Sequence, residues 1–425
     1  IPNPQSPIPN PQSPYFYNHE IDLSKNINFL FLFNMNEFSL IYKNINSYYF
    51  SSSEFSQTGI IILLIISLYI FIKKYFLSKK SDEKNNSSHD IFSLMKNTPI
   101  IYIKSLSKLT GHNIYVKCEY YSYYTSKDRV IKRILSEAIK NNQINKDTMI
   151  YEASNGLSAL SISSICHLMG LNNVTLVIPE SCPENIIKKL KKTNNKLIIT
   201  KNVDFSNFSE NYIRLCKKIS SENKNSFFIN LYQNELNLIT NFEETAPELY
   251  SQLNKQINAF VCCANTGGTV SGFSNFLKLK NNKCLIALAD IEPSAINSYI
   301  KEGVLFRQEN SFKENKNIND NYGTGNCFLN NNLIKAKIDE CYLCKEEEIL
   351  FMIDYIKKND GINIGFNEAL NLVGILKMIK DKKNYLEKNS NITTVFFDDG
   401  KYDSDRIKEY NYKNNKINNI EDIYK

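Results

Sequence analysis

The chain has 425 residues, of which 42% are hydrophobic and 22% are charged. That length and apolar content exclude a wholly disordered chain and allow about three average domains. The net charge of +7 is too small for a dedicated nucleic-acid binder, which needs a dense basic surface to displace counterions from phosphates. Ten cysteines without dense spacing indicate a reduced, cytosolic setting rather than a disulfide-stapled secreted domain.

Residues 1–54 are predicted to form a low-complexity N-terminal tail. The tail begins with the heptapeptide IPNPQSP written twice, and a proline at every second or third step favours an extended backbone. No domain is predicted in this part of the chain.

Residues 55–77 predict one transmembrane helix. Their first part, FSQTGIIILLIISLYIFI, carries no charge, and as a helix at ~1.5 Å per residue it nearly spans a hydrocarbon layer ~30 Å thick. Lysines are more frequent after this stretch than before it, so the positive-inside bias places the following region in the cytosol. A buried core helix is the alternative. A polar linker is predicted at residues 78–90.

From residue 91, short apolar runs alternate with amphipathic stretches. The runs that predict strands are IIYIKSL, NIYVKCE, TMIYEAS, VTLVIPE, KLIIT, AFVCCAN, LIALADI and TTVFFDD. Helices are predicted between several of them, at residues 129–141, 160–169 and 183–192. This alternation is typical of α/β proteins with parallel sheets flanked by helices.

The α/β pattern predicts two parallel-sheet domains of three layers each within residues 91–405. The smaller domain is expected at about residues 131–250, and the remainder forms the larger one. A C-terminal tail is expected at residues 406–425.

A glycine-rich turn, ANTGGTVSG, follows the predicted strand AFVCC and precedes the helical stretch FSNFLKLK. A turn of this kind at a helix start offers unpaired backbone N–H groups and the positive end of the helix dipole, and threonine hydroxyls add donors. The turn, residues 264–272, is therefore predicted to bind a phosphate. A tight strand-to-helix turn without a ligand is the alternative.

Lys127 lies in the sequence SKDR, after the predicted strand NIYVKCE and at the start of a predicted helix. The helix dipole lowers the pKa of an amine at this position, and the unprotonated amine is the form that attacks a carbonyl. The alternative for this lysine taken alone is a solvated surface side chain.

Ten motifs between residues 91 and 405 occur in the order found in cysteine synthases. They are NTPIIYIKSLSKLTGHNIYVKCE, SKDR, EASNGLS, QNELN, TAPEL, ANTGGTVSG, IEP, GTGN, GINIGFNEALN and FFDDGKY. On these motifs the chain resembles the cysteine synthase and cystathionine β-synthase family. The resemblance implies the tryptophan synthase β-like fold, type II among enzymes that use pyridoxal 5'-phosphate, and a homodimer. The predicted span and linker are similar to a membrane-anchored eukaryotic subgroup, which favours the mitochondrial outer membrane.

The resemblance assigns roles to residues of this chain. Lys127 takes the place of the catalytic lysine that forms a Schiff base with the cofactor. The residues that match the phosphate-binding loop are Thr266, Gly267, Gly268 and Thr269. The residues that match the contacts to the substrate carboxylate are Ser154, Asn155, Gly156, Ser158 and Gln233. No metal site is implied.

Two residues depart from the family pattern at this site. Leu157 stands where the family has an asparagine that hydrogen-bonds the ring hydroxyl of the cofactor, and a leucine side chain can neither donate nor accept. Glu368 stands where the family has a serine near the pyridine nitrogen. If Glu368 faces that nitrogen, it binds the cofactor and keeps its ring protonated.

The resemblance implies β-replacement or β-elimination on an O-acetylserine-like amino acid, with sulfide or a thiol as the second substrate and cysteine as a product. Two alternatives stay open because of Leu157 and Glu368. One is a degenerate member that binds the cofactor without turnover, and the other is a serine or cysteine dehydratase or desulfhydrase.

Overall fold

The computed structural model describes residues 91–201, 211–292, 294–306, 324, 328–401, 417 and 419–424. The predicted tail, transmembrane helix and linker at residues 1–90, and most of the predicted C-terminal tail, lie outside these residues. No helix within the described ranges is both long enough and apolar enough to cross a membrane.

The described strands form two sheets. The strands are β1 (Ile100–Tyr102), β2 (Asn113–Cys118), β3 (Met149–Ala153), β4 (Val174–Pro179), β5 (Lys196–Thr200), β6 (Ser226–Phe228), β7 (Ala259–Cys262), β8 (Leu285–Ile291), β9 (Glu340–Cys344) and β10 (Asn391–Phe396). A six-stranded sheet has the order β1-β2-β10-β7-β8-β9, and a four-stranded sheet has the order β5-β4-β3-β6.

The strand pairs are parallel with one exception. β1 and β2 are antiparallel, with Ile101 opposite Val116, and the other described pairs are parallel. The prediction of two parallel sheets is therefore correct except at this edge. The connection between β1 and β2 is one short helix, and after it the chain runs back antiparallel to β1. The predicted domain boundaries at residues 131–250 stay a prediction.

Helices alternate with the strands along the chain. They are α1 (Lys104–Thr110), α2 (Asp128–Lys140), α3 (Leu157–Leu168), α4 (Glu184–Leu190), α5 (Tyr212–Ser221), α6 (Leu236–Thr240), α7 (Ala246–Gln252), α8 (Gly268–Lys280), α9 (Ala295–Glu302), α10 (Asn331–Ile334), α11 (Glu346–Asp360), α12 (Phe366–Asp381) and α13 (Glu421–Tyr424). The three predicted helices correspond to α2, α3 and α4.

The six-stranded sheet is buried on both faces because successive side chains of its central strands point in opposite directions. On β7, Ala259 and Val261 face a core shared with α11 and α12, whereas Phe260 and Cys262 face a core shared with α7 and α8. The ring of Phe260 stacks on that of Phe273 with 4.6 Å between centroids. This packing fixes the end of β7, where the glycine-rich turn begins.

The four-stranded sheet is packed in the same way. Ile150 on β3 faces a core shared with α2, α3 and α4, and Tyr151 and Ala153 face a smaller core shared with α5. The loop after β3 therefore starts from a buried strand whose direction is fixed on both sides.

Candidate active site

One cavity gathers residues from several loops at the carboxyl ends of parallel strands, where α/β proteins bind their ligands. Its polar wall residues carry hydroxyl, amide, carboxylate or amine groups: Ser126, Lys127, Asn155, Ser158, Asn265, Thr266, Thr269, Thr324, Asn367 and Asp398. The remaining wall residues are glycines, apolar residues and one cysteine: Gly156, Leu157, Pro183, Ile186, Cys263, Ala264, Gly267, Val270 and Phe397.

Lys127 lies in this cavity at the start of α2. Its backbone N–H donates to Oγ1 of Thr125 at 3.1 Å, and its amine lies 5.9 Å from the centroid of the Phe397 ring. None of the described residues hydrogen-bonds or ion-pairs with that amine. Loss of water around the amine lowers the pKa of Lys127. The site therefore presents an unengaged amine with reduced proton affinity, as nucleophilic attack on a carbonyl requires.

Asp128, next to Lys127, holds the turn that precedes α2. Its carboxylate accepts the backbone N–H groups of Tyr124 at 2.5 Å and Thr125 at 2.9 Å. The same carboxylate accepts the hydroxyl of Ser161 on α3 at 2.6 Å. Asp128 thus ties the lysine turn to the helix that follows the predicted substrate loop.

A buried network of charges fixes α2 two residues beyond Lys127. Arg129 pairs with Glu119 at 3.0 Å and with Glu248 on α7 at 2.8 Å, and Lys117 also pairs with Glu248. Burial pushes the pKa of Glu248 upward, but the hydrogen bond and charge of Arg129, together with Lys117, hold it at about 2. The network links β2, α2 and α7 beneath the cavity, so the start of α2 has little freedom to move.

The glycine-rich turn forms another part of the cavity wall. Gly267 has a positive φ of 76°, which a residue with a side chain rarely adopts. A Cβ at Gly267 would lie 2.6 Å from the backbone nitrogen of Leu333. Thr266, Gly267 and Thr269 line the cavity, whereas Gly268 lies behind it against Asn237. Since the first N–H groups of α8 have no acceptor within the helix, the turn can bind an anion.

The predicted substrate loop reaches the cavity with three of its four predicted residues. Asn155, Gly156 and Ser158 line the wall at the start of α3. Ser154 does not line it, because its Oγ turns back and accepts the backbone N–H groups of Gly156 at 3.2 Å and Ala159 at 3.1 Å. Ser154 therefore shapes the loop, and its predicted direct contact with substrate has no support in this geometry.

Glu368 does not line the cavity, and its predicted contact with the cofactor stays a prediction. The side chain is fully buried, and Oε1 accepts the backbone N–H of Phe397 at 2.8 Å and that of Asp398 at 3.3 Å. The neighbouring residue Asn367 lines the cavity instead. In a helix, adjacent side chains point about 100° apart, so a shift of one residue decides which of them faces a ligand.

Gln233 is also absent from the cavity wall, and its predicted contact with the substrate carboxylate stays a prediction. Its side chain is exposed and lines a separate surface pocket with Glu137 and Asn141. The neighbouring Tyr232 is buried, and its hydroxyl donates to Oδ1 of Asn265 in the cavity wall at 2.8 Å. The segment thus contacts the site through Tyr232.

Several residues of the wall were not predicted from the sequence. Thr324 belongs to the motif GTGN and Asp398 to FFDDGKY, and both motifs had been singled out without a role for these residues. Asn265 directly precedes Thr266 of the glycine-rich turn and was given no role of its own.

The residues present fit pyridoxal 5'-phosphate. The cofactor needs an amine for its aldehyde and donors for its phosphate, and Lys127 and the Gly267 turn both line the cavity. The Lys127 amine has no hydrogen bond or ion pair with the described residues that would have to be displaced. Leu157 makes the wall apolar at its position. That the ring hydroxyl of the cofactor lacks one hydrogen bond there stays a prediction.

Comparison with known proteins agrees with this fit. The model of the family described as "Pyridoxal-phosphate dependent enzyme" matches residues 91–398. The cysteine synthase of Dictyostelium discoideum is 29% identical over 351 residues, which cover 80% of this chain and 91% of that protein.

Two solved structures share the fold. A hydrogen sulfide-producing enzyme from Fusobacterium nucleatum superposes with a TM-score of 0.62 at 22% identity and covers 74% of this chain and 99% of its own. The O-acetylserine dependent cystathionine β-synthase from Helicobacter pylori superposes with a TM-score of 0.63 at 19% identity and covers 78% of this chain and 99% of its own.

Proposed function

The chain belongs to the family of pyridoxal-phosphate dependent enzymes, and we propose that it replaces the β-substituent of an O-acetylserine-like amino acid with sulfide to form cysteine. The fold is type II, and the protein is a cysteine synthase-like enzyme with pyridoxal 5'-phosphate as its cofactor.

The observation that carries the proposal is the meeting of three different groups in one cavity. Lys127 supplies an amine, the turn at Gly267 supplies donors for a phosphate, and the start of α3 at Asn155 supplies a second set of donors. A second helix start is suited to a carboxylate, because backbone N–H groups and the helix dipole both favour an anion there. An amino acid and a phosphorylated cofactor can therefore bind side by side.

The bound cofactor supplies an electron sink that makes the α-proton of an amino acid acidic. Lys127 is placed to hold the cofactor and afterwards to move that proton, since its amine is unengaged by the described residues and has a lowered pKa. We assign the substrate carboxylate to Asn155 and Ser158 and the phosphate to Thr266 and Thr269, because all four residues line the cavity. Leu157 and Phe397 add apolar side chains to the same wall.

Two other functions have one observation each in their favour. Leu157 removes a polar contact expected at the cofactor ring, which favours a member that binds the cofactor without turnover. The Fusobacterium nucleatum enzyme of the same fold produces hydrogen sulfide, which favours a desulfhydrase.

The deciding experiment combines visible absorption with product analysis of the purified protein. We expect a visible band of the bound cofactor that is absent from Lys127→Ala and retained in Lys132→Ala, a control on the same helix whose amine lies over Phe92. Addition of O-acetyl-L-serine and sulfide should give cysteine. Pyruvate or sulfide release from cysteine would instead identify a desulfhydrase. A stable band with no product from any β-substituted amino acid would identify the non-catalytic member.

We also propose that residues 55–77 anchor the chain in a membrane, with residues 91–405 on the cytosolic side and the mitochondrial outer membrane as the site. The support is the uncharged run followed by a cluster of lysines. Carbonate extraction should leave the full chain in the membrane pellet and release a chain that begins at residue 81. Protease added to intact mitochondria should digest the catalytic region, and its protection would contradict the orientation.

The homodimer implied by the resemblance stays a proposal as well. Sedimentation of a chain that begins at residue 81 should give twice the monomer mass, and a monomer at micromolar concentration would contradict it.

A further inference from the structure

The side chain of Asn237 contacts the phosphate-binding turn from behind. Asn237 is fully buried in α6, and its Nδ2 lies 3.0 Å from Oγ1 of Thr266 and 2.9 Å from the carbonyl oxygen of Leu231. A carbonyl oxygen can only accept, so the orientation of the amide is set by Leu231. The second N–H of the same group is then directed to Thr266.

This contact determines what the Thr266 hydroxyl can do. The hydroxyl has one hydrogen to donate and lone pairs to accept, and one lone pair is occupied by the N–H of Asn237. Its hydrogen therefore points away from Asn237. Because Thr266 lines the cavity, that hydrogen is available to an acceptor bound there, and phosphate oxygens are acceptors.

Gly268 permits this arrangement. A Cβ at position 268 would lie 2.1 Å from Oδ1 and 2.3 Å from Cγ of Asn237, distances that real side chains do not adopt. The missing side chain of Gly268 thus makes room for Asn237, and not for a ligand in the cavity.

We propose that Asn237 is a positioning residue for the cofactor, which orients the Thr266 hydroxyl as a hydrogen-bond donor to the phosphate. The proposal depends on the cofactor of the family and not on the cysteine-forming reaction, so its test uses binding and not turnover.

The test measures the dissociation constants of pyridoxal 5'-phosphate and of pyridoxal, which lacks the phosphate, for the full-length apoprotein. In Asn237→Asp the side chain keeps its shape but offers oxygens in place of the N–H group, so the Thr266 hydroxyl is drawn to residue 237. We expect a loss of about 10-fold to 100-fold in affinity for pyridoxal 5'-phosphate, the range of one hydrogen bond to a charged group. The affinity for pyridoxal should change by less than about twofold. Asn237→Ala, which adds no charge, should change the ratio in the same direction and serves if the aspartate variant does not fold.

Thr266→Val separates orientation from the charge of the new aspartate. If Asn237 acts through Thr266, Asn237→Asp should have little further effect on phosphate affinity in the Thr266→Val background. An undiminished loss in that background would show repulsion by the charge and would overturn the proposal.

Asn332 provides the matched structural control. It is fully buried, and its Nδ2 donates to the same Leu231 carbonyl at 2.9 Å and to that of Tyr232 at 3.2 Å. It has no hydrogen bond to Thr266 in the described structure, so Asn332→Asp should keep the wild-type ratio of the two affinities. Equal losses for both compounds in Asn237→Asp, or the same change of ratio in Asn332→Asp, would overturn the proposal.

Discussion

The carboxylate of Glu368 accepts the backbone N–H of Phe397 at 2.8 Å. Glu368 is at the start of α12 and Phe397 directly follows β10, so this bond joins two walls of the cavity from inside the protein. Phe397 in turn lies beside the amine of Lys127. Glu368 therefore supports the shape of the site, and Asn367 supplies the side chain that faces it.

The position of Glu368 predicts a difference between two adjacent substitutions. Glu368→Gln keeps one oxygen acceptor for Phe397, so we expect a loss of about 1 kcal/mol in the free energy of unfolding and an unchanged absorption maximum of the bound cofactor. Asn367→Asp places a charge in the cavity wall and should shift that maximum. Urea unfolding and visible spectra measure the two effects. A shift in Glu368→Gln without one in Asn367→Asp would place the carboxylate at the ring after all.

Leu157→Asn should strengthen cofactor binding. An asparagine amide can hydrogen-bond the ring hydroxyl that Leu157 leaves without a partner at this position, and one neutral hydrogen bond corresponds to about a fivefold gain in affinity. Leu157→Met, of similar size and without a strong hydrogen-bonding group, is the control and should leave the affinity unchanged. An equal gain in both variants would mean that the wall at position 157 acts through its shape.

A substitution at position 232 should weaken cofactor binding more than one at position 233. Gln233→Ala should change the affinity for the cofactor and kcat/KM by less than about twofold, because the side chain lies on the surface outside the cavity. Tyr232→Phe removes the hydroxyl that donates to Asn265 and should lower cofactor affinity about fivefold. Titration of the apoproteins with pyridoxal 5'-phosphate compares them. A larger loss in Gln233→Ala would restore its predicted role at the substrate.

Glu152 should make the stability of the fold depend on pH. Burial raises its pKa from 4.5 to about 8, although its carboxylate accepts the backbone N–H groups of Asn230 and Leu231. Between these two values the folded protein holds a proton that the unfolded chain has released, so the contribution of Glu152 to stability is greatest below pH 4.5 and is lost as the pH rises towards 8. The slope is at most about 1.4 kcal/mol per pH unit.

Glu152→Gln cannot titrate and is the control for this prediction. It should be less stable overall, because an amide N–H2 would face one of the two backbone donors, but its stability should lack this part of the pH dependence. Urea unfolding of both proteins at several pH values gives the comparison. Parallel curves for the two proteins would show that Glu152 does not titrate in this range.

The fold could be predicted from the sequence where the signal was local. The strand β7, the turn at Gly267 and the helix α8 follow one another as predicted, because a buried apolar run, clustered glycines and a helical pattern are read within a few residues. β6 and β9 were missed. β6 has only three residues, too few for a pattern. β9 is stabilised mainly by pairing with β8, and this pairing cannot be read from the local sequence.

The site could be predicted as a set of segments but not always as a set of side chains. Lys127 and the turn at Gly267 line the cavity as the motifs suggested. Glu368 and Gln233 do not line the cavity, but each is next in sequence to a residue that lines it or bonds to its wall, Asn367 and Tyr232 respectively. A motif gives the order of residues, but the direction of each side chain depends on where the helix or turn begins, which tertiary packing decides.

The close fit between Gly268 and Asn237 has an evolutionary consequence. Since this glycine is required by a neighbouring asparagine of the protein itself, selection for a stable fold preserves it whether or not chemistry takes place. A descendant that had ceased to catalyse would keep its glycine signature long after drift had replaced Lys127. Among such homologues, the presence of the lysine, and not of the glycines, would distinguish a catalytic protein from a non-catalytic one.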